Sequence, residues 1–212
     1  MNIKTFVFNP FYENTYVISS KEGNCLIIDP GCYEDFERKE LLDYVEMEGL
    51  KVAFILNTHC HIDHVLGNDY LKDHFKVSLK IPINEQEVYQ AIPVLAPQWG
   101  ITGYHQADVD EFLVEGKTIE LDEILFDMIE VPGHSPGHLI FYNKEEKVMI
   151  GGDVIFRESI GRTDLPGGDH DTLLSNIQQK VYTLPDEVAV YPGHGPTTTI
   201  GHEKRSNPFV RG

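Results

Sequence analysis

The chain has 212 residues, 41% of them hydrophobic and 24% charged, with 34 acidic against 17 basic side chains and a formal net charge of −17. That is ample apolar material for a packed core, while the acidic balance and the lack of a dense Lys/Arg patch exclude a phosphate-neutralising nucleic-acid surface. No stretch approaches the roughly 18–20 apolar residues of a membrane helix.

Three short strands are expected first, over residues 4–8, 15–19 and 25–29, each bounded by Asn, Pro or Gly. Across 34–48, Phe36, Leu41, Leu42, Val45 and Met47 recur at roughly helical spacing, which predicts an amphipathic surface helix, not an acidic tail. The run Val52-Ala53-Phe54-Ile55-Leu56 predicts a fully buried strand. Directly behind it stands Thr58-His59-Cys60-His61-Ile62-Asp63-His64, three imidazoles and a carboxylate within six positions. Desolvating so many polar atoms is costly unless a cation satisfies them. In an extended segment His59, His61 and Asp63 share a face, and His64 joins them only if the chain turns after Asp63. Cys60 alternates away and is expected to pack as a small apolar residue.

Helices are expected near 68–74 and over 85–95, where Pro93 should kink or end the second one. The connection that follows carries Trp99 and Tyr104, which, with Tyr89, are expected to be core residues, with roofing of the site as the alternative role. Strands should recur around 118–121, 125–131, 138–142 and 147–151, and a last helix over about 171–182 begins behind an Asp suited to capping. Three more strand ends present a ligand-capable residue: His134 in Val131-Pro132-Gly133-His134, Asp153 in Met149-Ile150-Gly151-Gly152-Asp153, and His194 in Val190-Tyr191-Pro192-Gly193-His194. Loops held by a rigid sheet are where sites are normally built. Seven candidates (His59, His61, Asp63, His64, His134, Asp153 and His194) exceed the needs of one tetrahedral zinc and suit two divalent ions. Zinc leads, and iron or manganese accept the same donors. His138 is expected to start a strand and hydrogen-bond behind the ligands.

This pattern resembles the metallo-β-lactamase-fold hydrolases, and among them glyoxalase II (hydroxyacylglutathione hydrolase) of the short bacterial type that lacks the C-terminal helical domain. The likeness runs over residues 14–209 and rests on Thr-His-x-His-x-Asp-His, the distant His134, Asp153 and His194, and the stretches Ser159-Ile160-Gly161-Arg162-Thr163-Asp164 and Tyr191-Pro192-Gly193-His194-Gly195-Pro196. It implies a four-layer αββα sandwich, class α/β (α+β), in a single domain of residues 1–212. It also implies that His59, His61 and His134 hold one ion, that Asp63, His64 and His194 hold the other, and that Asp153 bridges them.

The expected activity is hydrolysis of a small-molecule thioester such as S-lactoylglutathione by a metal-bridging hydroxide, with Asp63 aiming the nucleophile. Arg162 takes the place where the family holds the thiol's carboxylate, and a salt bridge to Asp164 or Asp169 is the competing role. A mononuclear iron persulfide dioxygenase shares several of these ligands, and a phosphodiesterase of the same fold is a further alternative. β-Lactams are disfavoured, because those enzymes typically lack an acidic residue at the Asp153 position. His202 belongs to a tail expected to pack or to wall a pocket. Cys25, Cys32 and Cys60 lack a zinc-ribbon spacing, and 1–20 lacks a continuous apolar signal region, so the expected setting is cytoplasmic.

Overall fold

The computed structural model describes residues 1–212, which divide into two compact units: 1–113 with 121–124, and 114–120 with 125–212. The first is built on a six-stranded sheet of β1 (Asn2–Phe8), β2 (Glu13–Ser19), β3 (Asn24–Ile28), β4 (Lys51–Leu56), β5 (Ser78–Pro82) and β6 (Glu111–Leu113), neighbours in that order. Strands β1 to β3 pair antiparallel, and β3 to β6 run parallel. The register Ile28↔Leu56 brings the ends of β3 and β4 level, so Asp29 and the His59 loop leave the sheet at one edge.

Helix α1 (Asp35–Met47) joins β3 to β4, α2 (Ile62–Val65) and α3 (Asn68–Phe75) join β4 to β5, and α4 (Gln86–Leu95) follows β5. Leu41 and Val45 of α1, Leu71 of α3 and Tyr89 and Ile92 of α4 enclose one core with Val17, Ile27, Ile55 and Leu79 of the sheet. Several expectations change here. Phe36 and Met47 are exposed, and Glu37 takes the buried place on α1, because its carboxylate accepts the backbone N–H groups of Asn9, Tyr33 and Glu34. Strand β4 is not buried throughout, since Lys51 and Ala53 are exposed and Phe54 half-buried, while Val52, Ile55 and Leu56 are buried. Pro93 sits inside α4, where it lacks the N–H that would bond back to Tyr89, and the helix ends two residues later at Leu95.

The second unit carries β7 (Thr118–Leu121), β8 (Ile124–Glu130), β9 (Leu139–Asn143), β10 (Val148–Gly152), a small hairpin β11 (Ile155–Phe156) and β12 (Ser159–Ile160), then β13 (Ala189–Pro192) and β14 (Thr198–Thr199). Its sheet order is β14-β13-β10-β9-β8-β7. Because β9 is antiparallel to both β8 and β10, and β13 is parallel to β10, strands β8, β10 and β13 point the same way. The loops holding His134, Asp153 and His194 therefore emerge at one edge. Helix α5 (His170–Asn176) is capped by Asp169, whose side chain accepts from Thr172 N, and passes into a π-turn at Ile177–Val181. Helix α6 (Ile200–Ser206) was not expected from the sequence. Leu173, Ile177 and Val181 pack with Met149, Val190 and Ile200 as the second core. No helix is long and apolar enough to cross a membrane.

Candidate metal centre

In the first unit the histidine cluster forms where β4 gives way to α2. His61 is the N-cap of α2, so the chain turns before Asp63 and not after it, and Asp63 and His64 are helical. The ring centroids of His59 and His64 come within 4.1 Å, and those of His59 and His61 within 4.8 Å. His64 Nε2 lies 3.8 Å from Asp63 Oδ2. His59 and His64 are fully buried.

Hydrogen bonds to the ring nitrogens decide where the imidazole protons sit. Asp29 accepts Thr58 N at 2.7 Å and the Thr58 hydroxyl at 2.6 Å. Thr58 has one hydroxyl proton, and it is committed to Asp29. Its oxygen, 3.1 Å from His59 Nδ1, must therefore accept, so the His59 proton sits on Nδ1 and Nε2 keeps its lone pair. Asp29 Oδ2 also lies 3.1 Å from His64 Nδ1, which aims Nε2 of that ring toward Asp63. The ligand-capable atoms of Asp29, His59 and His64 lie within 4.8 Å of one another, yet the oxygens of Asp29 are taken up by Thr58 and His64, so it supports ligands instead of being one. Asn9 Nδ2 holds the Asp63 carbonyl at 2.9 Å and the Gly31 carbonyl at 3.0 Å.

The second unit repeats this logic. His134 Nδ1 lies 2.7 Å from the Arg162 carbonyl. A carbonyl only accepts, so Nδ1 donates and Nε2 is the nitrogen left available to a cation. That Nε2 is 3.5 Å from Asp153 Oδ2, and His194 Nε2 is 3.5 Å from the same oxygen. The backbone N–H of Asp153 donates to His138 Nε2 at 2.9 Å, one residue ahead of β9, as the sequence suggested. Gly161 is needed for close approach: a Cβ there would lie 1.9 Å from the Asp153 carbonyl and 3.1 Å from His134 Nδ1.

Neutral imidazoles with lone pairs released beside carboxylates fit a divalent cation in each cluster. The thiols do not compete for it. Burial pushes Cys25 and Cys32 up to about 12 and Cys60 well above its ordinary value, so none offers a thiolate. The Arg162 guanidinium is bidentate on Asp164, at 2.7 and 2.8 Å, so the salt bridge is the role it takes in this structure. Asp29, Thr58, Asn9 and the Arg162 carbonyl escaped the sequence reading. Only Asp29 left a signal, since it ends an apolar run as Asp153 does.

Sheets flanked by helices, carrying strand-end histidines and aspartates, define a class, and the metallo-beta-lactamase superfamily profile matches residues 8–194. The chain belongs to the metallo-β-lactamase superfamily. It is 39% identical to hydroxyacylglutathione hydrolase GloC of Haemophilus influenzae, over 99% of this chain and 98% of that protein. Among solved structures it is similar to the BLEG-1 B3 metallo-beta-lactamase, with 35% identity, a TM-score of 0.91 and 100% of both chains covered. It is also similar to TTHA1623 in a di-iron-bound form, with 34% identity, a TM-score of 0.86, and 99% of this chain and 100% of that one covered.

Proposed function

We propose that the two clusters work as one dinuclear centre in a single domain of residues 1–212, and that the protein hydrolyses thioesters of the S-lactoylglutathione kind. His59, His61 and His134 take one ion, Asp63, His64 and His194 the other, and Asp153 is shared. The observation that carries the reading is the placement of Asp153 Oδ2 at 3.5 Å from both His134 Nε2 and His194 Nε2, which is what a bridging carboxylate requires. Similarity to GloC supports the substrate class, and the di-iron form of TTHA1623 supports two-ion occupancy. Zinc remains the leading metal, with iron and manganese as alternatives.

When bound, the metal pair ionises water near neutral pH and draws charge from a carbonyl oxygen. Asp63, its backbone anchored by Asn9, turns its carboxylate to the attacking water and orients it. A thiolate leaving group, with a conjugate-acid pKa of about 8.5 by analogy with cysteine, departs without a general acid. With its cysteines protonated and buried, the chain offers no thiolate nucleophile of its own. Arg162 takes a carboxylate of the substrate by exchanging out of its pair with Asp164. The partners are small thioesters, not nucleic acid or membrane, and the setting is the cytoplasm.

Metal analysis together with parallel assays of thiol release and oxygen uptake tests the proposal. Two metals per chain and thiol release without oxygen consumption are expected. One iron per chain with oxygen consumed would assign the protein to the dioxygenases instead. The full-length likeness to a protein described as a B3 metallo-beta-lactamase favours β-lactams as a second reading, against the expectation from Asp153. A chromogenic cephalosporin turned over faster than the thioester would establish it.

A further inference from the structure

Trp99 is the only tryptophan of the chain and, against expectation, it is not a core residue. It is 43% exposed at the end of the short turn Ala96–Trp99 and meets the Phe11 ring edge-on at 6.1 Å. Tyr89, by contrast, is buried with its hydroxyl on the Ala107 carbonyl. Tyr12, beside Phe11, is 73% exposed and sits at φ 58. A bulky aromatic adopts that left-handed backbone only where its surroundings impose it.

Here Asn9 imposes it. Its carbonyl accepts Tyr12 N at 3.2 Å, its Oδ1 accepts Phe11 N at 3.0 Å, and its own N–H is held by Glu37. The same side chain donates to the Asp63 carbonyl. One residue thus fixes both the backbone of Asp63 and a turn that presents aromatic rings to solvent. Backbone strain spent on a ring this exposed adds nothing to the core.

We propose that Phe11, Tyr12 and Trp99 form an aromatic wall for the apolar part of the acyl group, so that among glutathione thioesters those with a larger apolar or aromatic acyl group bind more tightly than S-lactoylglutathione itself. The inference rests on the metal-centre reading for the role of Asp63. Flat aromatic faces suit such a group. Three side chains are far short of the roughly 800 Å² per partner that a stable dimer needs. A membrane surface calls for flanking cations, whereas this chain carries a net charge of −17.

Emission from Trp99 in the zinc-loaded full-length protein supplies the test, with S-hexylglutathione and S-methylglutathione as inert thioethers. The hexyl compound should shift the emission to the blue and bind about tenfold more tightly than the methyl compound. Tyr12→Asn, which tolerates the left-handed backbone, should narrow that ratio to about twofold by calorimetry without lowering the melting temperature. Equal affinities, unmoved emission, a ratio unchanged in Tyr12→Asn, or an emission shift that follows protein concentration or added vesicles would overturn the wall. Thioester cleavage with unmoved emission would remove the wall and leave the hydrolase. A blue shift with the expected ratio but no cleavage of any thioester would do the reverse.

Discussion

One hydroxyl proton on Thr58 decides which nitrogen His59 offers to a cation, because Asp29 claims that proton and leaves the oxygen only able to accept. Asp29 thereby governs two imidazoles, His59 through Thr58 and His64 by direct approach at 3.1 Å. Replacing Asp29 with Asn keeps the volume but removes the charge and one acceptor. Asp29→Asn should weaken metal binding by about 10–100-fold, read by competition with a chromogenic chelator, with far-ultraviolet circular dichroism unchanged. The histidines and aspartates proposed as ligands were legible in the sequence because His59, His61, Asp63 and His64 crowd behind one apolar run while His134, Asp153 and His194 each stand at the end of another. Their supports were not, since Thr58 lies 29 positions from Asp29 and the carbonyl that orients His134 lies 28 positions away at Arg162. Backbone carbonyls carry no residue-specific signal at all.

Among the elements, α1 and α2 show where periodicity misleads. Apolar spacing over 34–48 placed Phe36 and Met47 inward, yet both are exposed. The helix is rotated to bury Glu37, which accepts three backbone N–H groups from Asn9, Tyr33 and Glu34. An unsatisfied buried donor costs more than an exposed Phe or Met. Glu37→Ala should therefore lower stability by about 2–4 kcal/mol, measured by urea unfolding with an unchanged m-value. In α2 the alternation rule for an extended chain failed because helix geometry starts at Ile62. His64 and Asp63 then meet through a helical turn. Elsewhere β5, β6, the β11–β12 hairpin and α6 are too short, or too polar, to announce themselves by periodicity. The hairpin is held by α6, where buried Glu203 accepts Glu158 N at 2.9 Å and Asn207 donates to the Ser159 carbonyl at 3.0 Å. His202 joins the same clamp at 3.0 Å from Glu158 Oε1, which gives the tail a packing role.

For the whole molecule, a metal that binds the folded chain and not the unfolded one should stabilise the fold by mass action. Free metal at a hundred times its dissociation constant contributes about 2.7 kcal/mol, so chelation should lower the melting temperature by about 5–10 °C, with recovery on adding zinc. An unchanged melting temperature on chelation would count against a metal held by the folded chain. The sequence by itself determined the superfamily, the α/β composition and the kinds of donor available, because periodicity and strand-end motifs are local properties of the chain. Only the tertiary structure decided which nitrogen His59 and His134 present, that Asp29 is taken up by Thr58 and His64, and that Trp99 is exposed. Those outcomes depend on single protons and on partners tens of residues apart, which no local pattern encodes.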